Sequence, residues 1–133
     1  QRGESEANLL GLAYTHSGFQ SGAPYRVIDP DHWAFDATGL ARGDEFGSRS
    51  LHERCPGGAS GHELDKISPD SPANIRHLAK GTNPGDSGAD LVSYDTESGG
   101  RVFSVGSLCW TLSITIDDGV SAVTANALRG MLE

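Results

Sequence analysis

The chain has 133 residues, 36% of them hydrophobic, enough for one modest domain that buries about two thirds of the surface its unfolded form exposes. A formal charge of -8 and a pI near 4.9 exclude the clustered Lys and Arg on which phosphate binding depends, and with them a nucleic acid partner. No apolar run approaches the roughly 18 residues needed to span a bilayer, and "QRGESEANLL" lacks the basic-then-apolar order of a secretion signal.

These absences lead to the expectation of a cytoplasmic protein with no membrane contact, and the missing initiator Met to that of a processed chain or a piece of a longer one. Asn8 to Tyr14, "NLLGLAY", is a short apolar run before "THSGFQSGAPY", whose Ser, Gly and Pro mark a loop; it reads as a buried strand delivering a loop. "HWAF", His32 to Phe35, reads as a second short strand. From Asp36 to Ile75 turn residues dominate, with only brief apolar islands. A wholly structureless loop of that length is rare in a compact domain, so this loop-rich middle is expected to lie over other protein surface.

Within the middle, the pairs His52-Glu53 and His62-Glu63 flank Cys55. No His-Glu-x-x-His spacing is present, and adjacent residues on a strand point to opposite faces, so no metal bound wholly by this chain is expected. Cys55 and Cys109 have neither zinc-ribbon nor redox spacing and read as two buried, unreactive thiols in a reducing compartment. Ala89 to Thr96, "ADLVSYDT", and Arg101 to Leu108, "RVFSVGSL", are joined by "ESGG" and predict a β-hairpin over about 89-108. A closing helix over about 120-132 places Val120, Val123, Ala127, Leu128 and Met131 on one face. Asp118 or Ser121 could cap it, and Asp117 and Asp118 suit the positive end of its dipole.

"GDSG", Gly85 to Gly88, spells the nucleophile motif of trypsin-like proteases, and the strand, turn and strand that follow imitate their order. That chemistry needs a His base and a buried Asp on a separate barrel, and too few residues precede Ser87 to build one. A tight turn feeding a strand explains the motif; a small serine hydrolase would need His16, His32 or His77 within reach of Ser87.

The blocks "LLGLAYTHSGFQSGAPYRV", "HWAFDATGLARGDEFG", "GASGHELDKISPDSP" and "ADLVSYDTESGGRVFSVGSLCWTLSI" with "GVSAVTANALRGML" together resemble, in order, the carboxyl-terminal region of the large (beta) subunit of the N,N-dimethylformamidase family. The resemblance covers nearly the whole chain. It implies the terminal part of an α/β, class I glutamine-amidotransferase-like catalytic domain, and an amidohydrolase that splits a formamide C–N bond into formate and an amine. It also implies a mononuclear iron held by two Tyr and a Glu that lie upstream, so Tyr14, Tyr25 and Tyr94 are not expected to be ligands. The expected partners are the remainder of the catalytic subunit, a small helical subunit and a small amide substrate, in an oligomer. Relatives carry a longer, helical segment between the "GHELD" block and the "ADLVSY" strand, a departure that bears on the substrate.

On this resemblance Glu63 is the catalytic carboxylate, able to position a water or move a proton, with His62 beside it to hold it or to contact substrate. Its ordinary reading is a surface or capping Glu. Trp110 and Phe103 are apolar enough to line a small-amide pocket, although core packing suits Phe103 as well. Asp90, opening its strand in apolar surroundings, is expected to be a structural hydrogen-bonding centre. A rival of a different class is a non-catalytic assembly module.

Overall fold

The structure is a computed structural model and describes residues 3–133. In chain order its elements are α1 (Ala7–Leu10), β1 (Ala13–Thr15), β2 (Gly22–Ala23), β3 (Tyr25–Val27), β4 (Glu45–Phe46), β5 (Ser60–Gly61), β6 (Leu64–Lys66), β7 (Arg76–Gly81), β8 (Asp90–Asp95), β9 (Arg101–Ser104) and α2 (Asp118–Leu132). Short 3-10 turns occupy Trp33–Phe35, Pro84–Asp86 and Leu108–Trp110.

The centre is a five-stranded antiparallel sheet in the order β4-β3-β7-β8-β9. β8 is buried from Asp90 to Tyr94, and its Leu91 and Val92 are fully enclosed because the strand is covered on both faces. Its hairpin with β9 pairs Val92 with Ser104 and Asp95 with Arg101, and Gly99 (φ 84) supplies the left-handed turn residue. Between β7 and β8 the register shifts at His77/Ala79. Two antiparallel ribbons, β1 with β6 and β2 with β5, complete the strand structure. The fold is thus mixed, with antiparallel sheets and a carboxyl-terminal helix, and both the hairpin and the closing helix stand where the sequence placed them.

Three local expectations are corrected. "NLLGLAY" is not one buried strand: its first half is α1, stopped at Gly11, whose φ of 79 lets its N–H reach the Ala7 carbonyl at 3.0 Å. Leu9 and Leu10 are accordingly 70% and 49% exposed. "HWAF" is a 3-10 turn and not a strand, because His32 Nδ1 accepts the Ala34 N–H at 3.2 Å and caps it. The helix starts at Asp118 with Asp117 as its cap, and its buried stripe is Val120, Val123 and Ala127, while Leu128 and Met131 face outward.

One apolar core joins these parts. Trp110 packs edge-on against Tyr25 and Phe46, with ring centroids 5.4 and 6.1 Å away, and its indole N–H donates to Thr124 of α2 at 3.1 Å. On the opposite side of α2, Asn126 Nδ2 donates to the Ala34 and Asp36 carbonyls at 3.1 and 2.8 Å, fastening helix to turn. Among the described residues no helix is long and apolar enough to cross a membrane.

Candidate functional site

Leu64 organises the site. Its side chain is fully buried in the core, with Glu63 in the bend just before β6 and Asp65 within the strand on either side of it. Both acids line a cleft of about 260 Å³ whose walls include Leu10, Leu12, Val105, Gly106, Ser107 and Leu108. The floor is held closely: the Asp65 N–H donates to the Gly106 carbonyl at 2.8 Å. A Cβ on Gly106, which has φ 66, would come within 2.9 Å of the Asp65 carbonyl and 2.7 Å of that of Asp90.

The two acids differ in setting. Glu63 is exposed at the mouth, whereas Asp65 is half-buried. Burial, and then the charge of Glu63, lift the Asp65 carboxyl above the usual carboxylate range, with Lys66 pulling the other way. An acid that retains its proton to higher pH, in the same cleft as a second acid, suits the handling of protons there. Asp65 escaped sequence reasoning although it stands inside the "GHELD" block; its place in the cleft beside Glu63 comes from the fold.

His62 is turned away from Glu63. It adopts a left-handed conformation (φ 70), its backbone held by Gln20 and Ser21, and no hydrogen bond joins the two side chains among the described residues. Its ring lies beside Phe19 (centroids 5.4 Å) and His52 (4.9 Å), with Nδ1 4.0 Å from Cys55 Sγ. Ligand atoms of His52, Cys55 and His62 all fall within 4.8 Å of one another. The alternation argument concerned adjacent His-Glu pairs, and this grouping draws on neither Glu53 nor Glu63. Trp110, 3% exposed, belongs to the core, and Phe103 packs half-buried with Trp33 at 6.2 Å; neither lines the cleft beside Glu63.

Asp90 is the expected bonding centre. Its Oδ2 accepts the Ile67 N–H at 2.8 Å, while Oδ1 faces Lys80 Nζ at 3.2 Å and His77 Nε2 at 2.8 Å. The His77 contact is close, but its nitrogen lacks a well-aligned hydrogen bond. Burial works to raise the Asp90 carboxyl, but His77, the Ile67 amide and Lys80 together hold it below the ordinary value. Ser87 donates to the Pro84 carbonyl at 2.7 Å, and no imidazole is its hydrogen-bond partner among the described residues. The Asp-Ser sequence is a turn.

Each tyrosine hydroxyl has a partner within the fold. Tyr25 and Tyr94 donate to the Val105 and Leu9 carbonyls, each at 2.5 Å, and burial pushes the Tyr25 phenol far above its usual range. Tyr14 pairs with His16 Nδ1 at 3.3 Å on the surface.

A family model described as N,N-dimethylformamidase beta subunit-like, C-terminal, matches residues 1–124. No curated protein matches the chain.

Proposed function

The chain belongs to the N,N-dimethylformamidase beta subunit-like, C-terminal family, and from that premise we infer that it is the terminal part of a hydrolase subunit cleaving a small formamide-type C–N bond to formate and an amine. In this reading residues 1–133 are a single domain or the end of a larger α/β, amidotransferase-like catalytic domain. The partners are the rest of that subunit and a small helical subunit. The family's iron belongs to residues outside this chain, and no step is assigned to it here.

The observation that supports the reading is the placement of Glu63 and Asp65 in one apolar-walled cleft. Amide hydrolysis consumes a water and breaks the C–N bond: the water oxygen joins the carbonyl carbon, and a proton must reach the departing nitrogen. Glu63 at the mouth takes the proton from water, and Asp65 shares it until the amine accepts it. Leu12, Val105 and Leu108 would receive the substrate's methyl groups, which want no polar partner. Trp110 and Phe103 serve as support: Trp110 packs on Tyr25, whose hydroxyl holds the Val105 carbonyl. His62 acts through the backbone it shares with Glu63.

The second reading, an assembly module without chemistry, is favoured by one observation: Leu128, Met131 and Leu132 lie exposed at the end of α2. Dimethylamine release from N,N-dimethylformamide by the native, undissociated, metal-replete protein separates the two. Glu63→Gln is expected to lower that rate by about 10²-fold or more. Release unchanged by the substitution removes Glu63 from the chemistry, and no release from the intact protein favours the assembly reading.

A further inference from the structure

His52 and Cys55 sit three positions apart in the segment between β4 and β5, and His62 follows β5. The arrangement brings two imidazoles and a thiol to one point, with Cys55 1% exposed and both His rings half-buried. Imidazole nitrogen and thiolate sulfur are the donors that borderline cations such as zinc select, in contrast to the oxygen donors favoured by magnesium or calcium.

The distances suit that chemistry. A tetrahedral zinc holds a nitrogen and a sulfur ligand about 3.5 Å apart. His62 Nδ1 and Cys55 Sγ are 4.0 Å apart, and the whole set lies within 4.8 Å, so each donor needs to move by less than about 1 Å to close on a cation. His52 Nδ1 accepts the Cys55 N–H at 3.0 Å, which holds its ring beside Cys55. The backbone is built for the approach. His62 is one of few non-glycine residues with positive φ, and its ring stands beside Cys55. Gly22 and Gly57 press backbone to backbone with no space for a Cβ on Gly57, which brings the Cys55 segment against the ribbon that carries His62.

We propose that His52, Cys55 and His62 bind a zinc-class divalent cation, with water in a fourth position. This stands apart from the amide-hydrolase reading, whose iron has another donor set. Binding converts the Cys55 thiol to a thiolate, so a proton leaves with each cation bound, and it ties the Cys55 segment to the residue preceding Glu63.

The test is titration of the chelator-stripped native protein with Co(II), followed by Zn(II). The expected result is one Co(II) per chain with a thiolate-to-cobalt charge-transfer band and tetrahedral ligand-field bands, both erased by Zn(II). Cys55→Ser should abolish the charge-transfer band. His52→Asn keeps an acceptor for the Cys55 amide, and His62→Asn keeps a residue tolerant of positive φ. Each should therefore fold as judged by circular dichroism, yet bind Co(II) about tenfold or more weakly. Absence of a thiolate band in the unaltered protein overturns the proposal. So does a band that survives Cys55→Ser, or one that Cys109→Ser removes instead.

Discussion

Replacing Asp117 with Ala is expected to destabilise the protein by about 3 kcal/mol. Asp117 is 7% exposed, and its carboxylate accepts three backbone N–H groups: Val120 and Gly47 on Oδ1, each at 3.1 Å, and Arg49 on Oδ2 at 3.3 Å. The Val120 bond is the cap of α2, worth about 1 kcal/mol. Gly47 is buried, so its amide would lose its partner without gaining water, a further cost of about 1–3 kcal/mol. Arg49 is exposed and its amide can turn to solvent, adding little. Asp117→Asn retains Oδ1, and with it both inner bonds, and should lose only about 1 kcal/mol. Urea unfolding at neutral pH measures both, provided the denaturant slope is unchanged between variants. A loss below about 1 kcal/mol for the Ala variant, or equal losses for Ala and Asn, would refute the assignment of this carboxylate as the joint between helix and sheet.

Asp65→Asn should raise stability modestly at neutral pH, because the raised carboxyl of Asp65 makes its ionised form a burden on the folded state. That gain should vanish as pH falls below the ordinary Asp value of about 3.9, where both states are protonated. Asp90→Asn should cost about 3 kcal/mol, since it leaves Lys80 and His77 without their shared charge. The stability that Asp90 supplies is full above about pH 3.9 and is lost as pH falls through its lower folded value, which an NMR titration of the carboxyl would follow. His32, buried and pushed down to about 4 by desolvation and then by Arg76, stays neutral in the fold while the unfolded chain takes up a proton. The urea midpoint should therefore fall between about pH 6.5 and pH 4, and His32→Asn, which keeps an acceptor for Ala34, should flatten that slope.

The hairpin and α2 were legible because their signals are local: alternation, a glycine turn, and apolar spacing at helical period are written within a few residues. "NLLGLAY" and "HWAF" misled because short apolar runs carry no period of their own. Gly11 and His32 decided them, one by a left-handed turn and the other by a side-chain cap. β7 went unrecognised since "RHLAKG" mixes charge with small residues; it is a strand because β3 and β8 flank it. In the candidate site, Glu63 was reached through family resemblance, and Asp65 only through the cleft that the fold builds. The grouping of His52, Cys55 and His62 joins residues from either side of β5, a contact of the fold that local pattern does not carry.

The order of the strands also sets an order in time. β7, β8 and β9 are neighbours both along the chain and across the sheet, so their pairing closes only short loops and can proceed early. β3 must find β7 across everything from Ile28 to Ile75, including β5, β6 and the segment that carries Cys55. The meander is therefore expected to pair first, with φ-values higher in β7 and β8 than in β3, and the cleft beside Glu63 is complete only with β6 set against Ser107 and Gly106.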